Sequence, residues 1–419
     1  MDGATPALSA RPGTQEEVSQ VVAACALAGA ALVPWGGGTA MGIGNPAERV
    51  DVVLRLDRLD RIVEFDPANL CVTVEAGVTL GSLKQTLAKE AELLPFDPPG
   101  GDGTTLGGLV AADQSGPSRL LYGTARDWVL GMRVVLPDGE RVHCGGRVIK
   151  NVSGYDMNKL FIRSFGSLGI ITEVTFKLLP TPLARASVVG LFKDLAAAVA
   201  AVEALKRSFL LPEALELLDP AALALVAPAL GVEAGASFAL AAAYAGSQST
   251  VDRQVRDTEA FIAAQGGTAG NLRDDASVRA WEALADPFRG QPKAPLRVRF
   301  RINTPIGSTP AMIEAVRSLA AARGLSPACA AHAASGVLRA VIQAPDATAL
   351  SALAEVLEEL RLNATAAKGS LVLEEAAPEL KARVEAWGAP GSSFAVMKRI
   401  KEQFDPNRIC SPGRFLGGI

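Results

Sequence analysis

Three glycine-rich stretches of this 419-residue chain have the composition of loops that bind a phosphate-bearing cofactor through their main chain. The first, "PWGGGTAMG", places Gly36, Gly37 and Gly38 in a row between Trp35 and Thr39. Glycine adopts positive φ at little cost, and successive N–H groups at such a bend form a nest that binds anions. The spacing matches neither a dinucleotide fingerprint nor a P-loop, and a flexible turn remains an alternative for this stretch alone.

Two further stretches strengthen the cofactor hypothesis. In "PPGGDGTTLGG", Thr104 and Thr105 could supply hydroxyls to a flat ring, and residues 106–109 could supply main-chain N–H groups. In "GSLGIIT", a turn that begins at Gly166 leads into a strand whose main chain could pair with the polar edge of a base or flavin. Three such turns beside strand and helix ends are typical of a large cofactor that crosses a domain.

Composition excludes several classes of function. The 41 basic and 44 acidic residues nearly cancel, and no dense basic block argues for a nucleic-acid partner. The N-terminus lacks a basic region followed by an apolar run, and no apolar stretch reaches the roughly 20 residues that a membrane helix needs. We therefore expect a cytoplasmic protein with two or more cored domains.

Cysteine and histidine are too few and too scattered for most metal or redox sites. The five cysteines form no Cys-x-x-Cys pair, so neither a disulfide framework nor an iron–sulfur or zinc site built by this chain is expected. Reduced cysteines used as small hydrophobic residues are the simpler interpretation. With only His143 and His332, a metal held by several histidines or a Ser-His-Asp triad has little to draw on.

The hydrophobic pattern predicts three parts, at residues 1–182, 183–376 and 377–419. In the first, Thr14 reads as a helix N-cap, and Asp138-Gly139 is a strong hairpin signal. The second mixes apolar strands with amphipathic helices, which predicts an α+β domain with helices on one face of an antiparallel sheet. The third reads as one helix followed by a turn-rich tail.

The order of "PWGGGT", "PPGGDGTTLGG", "YGTARDWVLGMRVVLPDG", "GGRVIKNVSGYDMNKLF" and "GSLGIITEV" resembles the FAD-binding domain of the vanillyl-alcohol-oxidase/p-cresol-methylhydroxylase superfamily. Within it, the chain is similar to the small FAD-binding subunits of bacterial glycolate oxidases. The tail "FDPNRICSPGRF" resembles the family's closing turn, with Ser411 where asparagine is usual. Similarity is strong over about residues 10–182 and the last 20 residues, and loose in between.

The resemblance implies a two-subdomain FAD-binding (PCMH-type) domain followed by an α+β cap domain and a short helical tail. Tyr122, Gly123 and Asp127 match a turn that is expected to be structural. The residues that match the family's FAD-contacting segments are Trp35, Gly36, Gly37, Gly38, Thr39, Gly42, Pro99, Gly100, Gly101, Thr104, Thr105, Leu106, Gly107, Gly108, Ser115, Gly116, Gly166, Ser167, Leu168, Gly169, Ile170 and Ile171.

Two departures from the family pattern bear on the chemistry. Some relatives attach the flavin to a histidine of the first loop, where this chain has Trp35 and Thr39, so we expect non-covalent FAD. Relatives that oxidise 2-hydroxy acids carry a late His-x-Gly-Asp-Gly-Asn-x-His cluster that binds a metal. The nearest run here, "CAAHAASGVLRA", holds one histidine, His332, so no metal site is expected.

Oxidation of a 2-hydroxy acid needs a base for the hydroxyl proton and a cation for the carboxylate, while the flavin accepts the hydride. His332 is the late base candidate, with Arg339 or Arg301 as carboxylate partners, although a core histidine is the simpler alternative. His143 is a weaker candidate on a hairpin strand.

Three other stretches each carry two interpretations. Arg297, Arg299 and Arg301 alternate along one predicted strand and form either an anion site or a solvated or interface face. Tyr155 within residues 151–156 either approaches the cofactor or belongs to a structural loop. Residues 281–289, "WEALADPFR", form either a loop over the flavin or an exposed connection.

The sequence thus predicts an FAD-binding subunit of a glycolate-oxidase-like complex that oxidises 2-hydroxy acids, glycolate to glyoxylate in the family. Its expected partners are a larger flavin-containing subunit and an iron–sulfur subunit, with peripheral contact to the inner membrane through them as a further option. The alternatives are a stand-alone FAD-dependent dehydrogenase of D-lactate or a similar acid, and a non-catalytic assembly subunit with structural FAD.

Overall fold

The computed structural model of the chain describes residues 3, 5–148, 154–289 and 294–419. The chain divides into two compact units. Unit 1 comprises Met1–Ser115, Thr124–Thr181 and Ala389–Ile419, and unit 2 comprises Gly116–Gly123 and Pro182–Gly388. The chain thus leaves unit 1 after Thr181 and returns to it at Ala389, and the predicted bounds of the three parts stay predictions.

Strands and helices alternate through both units. The strands are β1 Leu8–Ala10, β2 Leu32–Trp35, β3 Val52–Arg55, β4 Ile62–Asp66, β5 Cys71–Glu75, β6 Glu92–Leu93, β7 Val129–Val135, β8 Arg141–Gly145, β9 Ile170–Lys177, β10 Leu179–Pro180, β11 Ala184–Phe192, β12 Ala214–Leu218, β13 Phe238–Gly246, β14 Thr268–Arg273, β15 Leu296–Asn303, β16 Ser326–His332, β17 Val337–Ala344 and β18 Ser370–Ala376. The helices are α1 Gln15–Ala28, α2 Leu80–Leu87, α3 Leu106–Ala112, α4 Arg119–Tyr122, α5 Ala125–Trp128, α6 Asn158–Phe161, α7 Leu195–Arg207, α8 Pro220–Leu230, α9 Gln248–Ala264, α10 Asp274–Ala285, α11 Thr309–Ala321, α12 Leu350–Ala366, α13 Pro378–Lys381 and α14 Phe394–Phe404.

Unit 1 is built on two main sheets. A three-stranded parallel sheet has the order β1-β3-β2, and a five-stranded antiparallel sheet has the order β4-β5-β9-β7-β8. The buried face of α1, with Val18 and Val22, shares a core with Leu54 of β3 and Ile170 of β9. Burial of these branched side chains, at about 25 cal/mol per Å², is what holds the two sheets in one unit.

The local signals in the first part of the sequence are confirmed. The N–H of Glu17 donates to Thr14 Oγ1 at 3.1 Å, which caps α1. Gly139 has φ of +91° in the turn between β7 and β8, a conformation that glycine reaches without a side-chain penalty. Strand β7 of this hairpin pairs with β9, which begins directly after the turn of the third glycine stretch.

The C-terminal segment completes the parallel sheet of unit 1. The Leu32 N–H donates to Ile409 O at 2.7 Å, and the Ser411 N–H donates to Leu32 O at 2.9 Å. A parallel bridge joins Leu32 to Cys410, so the tail lies beside β2 like an additional short strand. The buried Lys401 of α14 anchors it, because its Nζ donates to Ser167 O at 2.8 Å and to Cys410 O at 2.9 Å.

Unit 2 is an eight-stranded antiparallel sheet in the order β14-β11-β13-β12-β16-β17-β15-β18. Helix α9 covers one face, where the Tyr244 and Thr258 hydroxyls lie 2.7 Å apart. On the other face, Val189 and Ala241 share a core with Leu223 of α8 and Leu284 of α10. The fold class is confirmed, but the expectation of helices on one face alone is wrong, because α8 and α10 cover the second face.

Among the described residues, no helix is both long and apolar enough to span a bilayer. Helix α12, for example, has 17 residues and interrupts its apolar positions with glutamates. Residues 281–285 belong to α10 instead of forming a loop, and only residues 286–289 continue as a turn. The Trp281 indole N–H donates to Ser187 Oγ at 2.7 Å, which fixes α10 to β11.

Candidate functional site

All three glycine-rich stretches contribute residues to one groove of unit 1. It is lined by Pro34, Gly36, Gly37, Gly38, Thr39, Ala40, Met41, Leu56, Ala76, Thr105, Gly107, Gly108, Ala111, Ala112, Phe165, Gly166, Gly169, Ile170, Ile171 and Arg414.

The glycines at the head of the first loop are required by the close approach of the second loop. A Cβ on Gly36 would lie well inside contact distance of Thr105 Oγ1, and a Cβ on Gly37 would do the same with Gly103 O. The Gly37 N–H lies 3.3 Å from Thr105 Oγ1 and donates to it. The first two loops therefore touch each other, and glycine is what permits this approach.

The end of the first loop carries three successive N–H groups that have no acceptor in the described part of the chain. Gly38 has φ of +76°, in the left-handed region that favours glycine. No described residue accepts a hydrogen bond from the N–H groups of Gly38, Thr39 or Ala40, which line the groove in succession. Three consecutive donors at a bend are the arrangement that binds a phosphate group. The donor set of this loop therefore fits the diphosphate of a dinucleotide.

The second loop contributes differently from the prediction. Three of the four N–H groups expected to face a ligand are used inside the protein: those of Leu106, Gly107 and Leu109 donate to Val78 O, Ala76 O and Thr105 O. What the loop offers to the groove is a smooth wall at Gly107 and Gly108. A Cβ at Gly107 would lie 2.5 Å from Ala76 Cβ, so this glycine is also needed for packing.

The third loop supplies a turn and the start of β9. Gly166 has φ of +71°, and Ile170 and Ile171 lie in register with Val135 and Val134 of β7. All of the predicted FAD contacts stay predictions. Those that lie outside the groove lining are Trp35, Gly42, Pro99, Gly100, Gly101, Thr104, Leu106, Ser115, Gly116, Ser167 and Leu168.

Sequence reasoning missed one charged residue of the groove. Arg414 comes from the tail, is 7% exposed, and is the one charged side chain among the described lining residues. Its Nη2 donates to Met41 O at 3.1 Å and to Ile43 O at 3.2 Å, directly after the nest. The family-like "SPGRF" was noted in the sequence, but nothing local indicated which loop it would meet.

Unit 2 holds His332 in a buried polar cluster. The His332 Nδ1 lies 2.5 Å from Glu216 Oε1, and the two residues are 3% and 1% exposed. They face each other on neighbouring strands β16 and β12. Burial raises the pKa of Glu216 well above its ordinary value. A carboxylate that holds a histidine ring in one orientation is an arrangement found for catalytic bases. The deep burial of both side chains suits a structural role equally well.

The arginines of β15 share one face of the strand, as the alternation predicts, but carboxylates accompany each of them. Arg299 lies 2.6 Å from Asp286, and Arg297 lies 3.3 Å from Glu375. The Arg301 Nε lies 3.9 Å from Glu374 Oε1, and Arg339 stands opposite Arg301 on β17. Positive and negative groups are therefore matched within this cluster.

Glu374 is expected to stabilise unit 2 in a pH-dependent way. Burial alone would raise the pKa of Glu374, but the charges of Arg339 and Arg301 hold that pKa below its ordinary value of 4.5. Its stabilisation is thus complete above pH 4.5 and is lost as the pH falls through the lowered pKa. We expect Glu374→Gln to reduce the unfolding free energy by about 2 kcal/mol at pH 7 and by less below pH 4.5.

Urea unfolding monitored at both pH values measures this difference. The matched control is Glu375→Gln on the same strand, whose side chain is 46% exposed and whose pairing should contribute little. A Glu374→Gln variant that is as stable as the control at pH 7 would contradict the prediction.

The remaining candidates do not join the groove lining. His143 is exposed on β8, beside Arg133 and Arg141 on a second concave surface. Tyr155 is 94% exposed, and Asn151 to Ser153 of the same motif lie outside the described residues. Tyr122 donates a short hydrogen bond to Glu213 within unit 2.

The five cysteines are free thiols, and four of them are buried. Burial raises the pKa of Cys144 to about 11, so the half-buried fifth thiol is protonated at neutral pH. In the described part of the chain, no three His, Cys, Asp or Glu residues are grouped so that they could hold a metal ion.

Comparison with known families matches both parts of the chain. Residues 6–145 match the family described as "FAD binding domain", and residues 181–415 match "FAD linked oxidases, C-terminal domain". The second match covers more than half of the chain and includes the tail that reaches the groove.

Three relatives have names that bear on the chemistry. Glycolate oxidase subunit GlcD of Bacillus subtilis is 27% identical over 97% of this chain and 88% of its own. Glycolate oxidase subunit GlcE of Escherichia coli is 38% identical, over 37% of this chain and 44% of its own. A probable mitochondrial D-lactate dehydrogenase of Danio rerio is 27% identical over 97% of this chain and 83% of its own.

Among solved structures, p-cresol methylhydroxylase with bound substrate superimposes with a TM-score of 0.77 at 20% identity. The match covers 97% of this chain and 88% of that one, and it confirms the expected superfamily fold. The chain belongs to the FAD-linked oxidases and is an FAD-dependent oxidoreductase.

Proposed function

We propose that the chain is the FAD-binding subunit of a glycolate-oxidase-like complex that oxidises 2-hydroxy acids. The observation that carries the proposal is the groove of unit 1, where the N–H groups of Gly38, Thr39 and Ala40 have no acceptor in the described chain. A site with those donors suits the diphosphate of FAD, and the bound flavin would supply the hydride acceptor.

The choice of 2-hydroxy acids rests on the relatives. Two that align with nearly the whole chain carry glycolate or D-lactate in their names, and both acids have a hydroxyl beside a carboxylate. Within this proposal His332 is the base, held by Glu216, and Arg339 or Arg301 is the cation for the carboxylate. The matched charges around these arginines support a second interpretation, a polar core without direct contact to substrate.

Membership of a complex is supported by the names of two relatives and by the cysteines. Both GlcD and GlcE are named as subunits of a glycolate oxidase. The five thiols are free and four are buried, so an iron–sulfur cluster would have to come from a partner chain. We therefore propose a larger flavin-containing subunit and an iron–sulfur subunit as partners, in the cytoplasm or at the inner membrane through them.

A stand-alone dehydrogenase of D-lactate or a related acid is the second candidate. It is favoured by the D-lactate dehydrogenase relative, which matches 97% of this chain without being named a subunit. The two candidates predict different behaviour of the isolated protein, because only the second needs no partner to complete a catalytic site.

Purification of the full chain at native expression level separates the candidates. Flavin and iron are measured on the purified material, and oxidation of glycolate and D-lactate is followed with an artificial electron acceptor. We expect turnover from material that contains iron and additional subunits, and none from the FAD-loaded chain alone.

A lone, iron-free chain that oxidises either acid would overturn the complex and support the stand-alone enzyme. Turnover of the complex that persists when Gly37→Ala removes FAD from this chain would instead make its FAD a structural element.

A further inference from the structure

The groove of unit 1 has one aromatic side chain among its described lining residues. This residue is Phe165, and it is half-buried where it lines the groove. The other large apolar side chains of the lining, such as Met41, Leu56 and Ile170, have no flat surface. FAD has two flat ring systems, and aromatic side chains are the surfaces on which such rings stack. Phe165 is therefore the lining residue best suited to contact a ring.

The main chain of Phe165 adopts a conformation that a bulky side chain disfavours. Its φ is +53°, and Arg163, two residues earlier, has φ of +66°. Positive φ is uncommon outside glycine, asparagine and aspartate, and a bulky residue that adopts it is an outlier. Such outliers persist only where the surrounding structure fixes them, and they concentrate at ligand-binding sites. The backbone at Phe165 thus points to function independently of the groove.

Hydrogen bonds to the end of helix α3 fix this conformation. The Phe165 N–H donates to Ala111 O at 2.9 Å, and the Arg163 N–H donates to Val110 O at 3.1 Å. Both acceptors lie in the last turn of α3, where the carbonyls lack their usual partners within the helix. The turn thereby joins the second glycine stretch to the third, and Phe165 cannot shift without the loss of these bonds.

A second ring, from the C-terminal tail, supports the ring of Phe165. The ring centroids of Phe165 and Phe415 lie 5.7 Å apart, and the ring planes are inclined by 31°. This distance is within the range of stacked aromatic pairs. Phe415 is not among the described lining residues, so it supports Phe165 from outside the groove. The ring of Phe165 is therefore held in place before any ligand binds.

We propose that Phe165 is a stacking surface for a flat ring of FAD, either the adenine or the isoalloxazine. Both rings have an extended π-face, and stacking on an aromatic side chain needs no particular pattern of hydrogen bonds. A ring that is already fixed loses little conformational freedom when the ligand binds. This inference rests on FAD as the cofactor in the groove and is independent of which acid the protein oxidises.

The test is a series of dissociation constants for FAD, riboflavin and ADP, measured by titration calorimetry on the apoprotein of the full chain. Phe165→Asn removes the ring but keeps a residue that tolerates positive φ, and we expect FAD to bind about tenfold more weakly. Phe165→Tyr keeps the ring, and FAD affinity should stay within about twofold of wild type. A parallel loss for riboflavin alone would identify the isoalloxazine as the stacked ring, and a loss for ADP alone would identify the adenine.

The matched control is Leu70→Asn, the same kind of exchange at another positive-φ position of unit 1. Leu70 has φ of +50° and is not among the described residues that line the groove. Its exchange should therefore leave the affinity for all three ligands unchanged. Thermal unfolding of each apoprotein identifies a variant that fails to fold. If Phe165→Asn fails in this way, Phe165→Leu takes its place, because it also removes the ring.

Three results would overturn the inference about Phe165 alone. The first is unchanged FAD affinity in Phe165→Asn. The second is an equal loss of riboflavin and ADP affinity in that variant, which would mean that the groove as a whole has moved. The third is an equal loss of FAD affinity in Phe165→Asn and Leu70→Asn. Failure of the wild-type chain to bind FAD is a different result, because it would overturn the proposed function and this inference with it.

Discussion

Exchange of Gly37 for alanine is expected to weaken FAD binding roughly 100-fold. The added Cβ would lie well inside contact distance of Gly103 O, a main-chain atom that cannot rotate away as a side chain can. Overpacking of this kind costs about 3 kcal/mol at the upper end of its usual range, and 1.4 kcal/mol corresponds to a tenfold change in affinity. The first two loops must separate, and the nest at Gly38 moves with them.

The matched control for this variant is Gly103→Ala on the facing loop. A Cβ on Gly103 meets nothing within 4 Å, so the same chemical change should leave FAD affinity within about twofold of wild type. Titration of both apoproteins with FAD, followed by fluorescence, measures the difference. Equal affinity of the two variants would show that the loops do not need their close approach, and our account of the groove would fail.

The second large effect is expected at Lys401, a buried cation in helix α14. Lys401 is 3% exposed and lies 2.6 Å from Asp405, which is 1% exposed. The Asp405 carboxylate also accepts the N–H groups of Ile409 and Cys410, so the pair determines the path of the tail. Lys401→Met leaves that carboxylate buried without its cation, and we expect unit 1 to lose about 3–5 kcal/mol of unfolding free energy.

The same helix supplies the control for Lys401. Lys398 and Glu402 also stand four residues apart, but both side chains are 61% exposed, and such a pair contributes about 0.3–0.5 kcal/mol. Urea unfolding of Lys401→Met and Lys398→Met, with FAD content measured in parallel, compares the two. If both variants lose equally little, the buried pair does not anchor the tail.

A double variant separates charge from packing at this position. Lys401→Met with Asp405→Asn leaves no buried charge unpaired, so it should be more stable than Lys401→Met alone. Failure of this rescue would indicate that the hydrogen bonds of Lys401 to Ser167 O and Cys410 O carry the stability instead.

The parts of the fold that the sequence predicts are those specified over short distances. The cap of α1 depends on Thr14 and Glu17, three residues apart, and the β7–β8 turn depends on Gly139. The alternation along β15 predicts correctly that its arginines share a face, because side chains of a strand alternate by geometry. Each of these features needs only its own neighbours to form.

The features that the sequence could not predict depend on contacts between distant residues. Nothing near Arg414 indicates that it meets Met41, which lies more than 370 positions earlier in the chain. Likewise, the N–H groups of Leu106 and Gly107 read as free donors until the fold brings Val78 O and Ala76 O beside them. The sequence does not indicate helix α8 clearly, because its small residues and the internal Pro228 weaken the helical pattern. Helix α10 is equally hard to predict, because the stretch around Trp281 resembles a loop.

The return of residues 389–419 to unit 1 has a consequence for biosynthesis. While the ribosome translates unit 2, the emerging first 181 residues lack Lys401 and Arg414, so their parallel sheet stays one segment short. At about 5–20 residues per second, this delay is on the order of ten to forty seconds. We therefore expect unit 1 to reach its final fold only after the finished polypeptide is released.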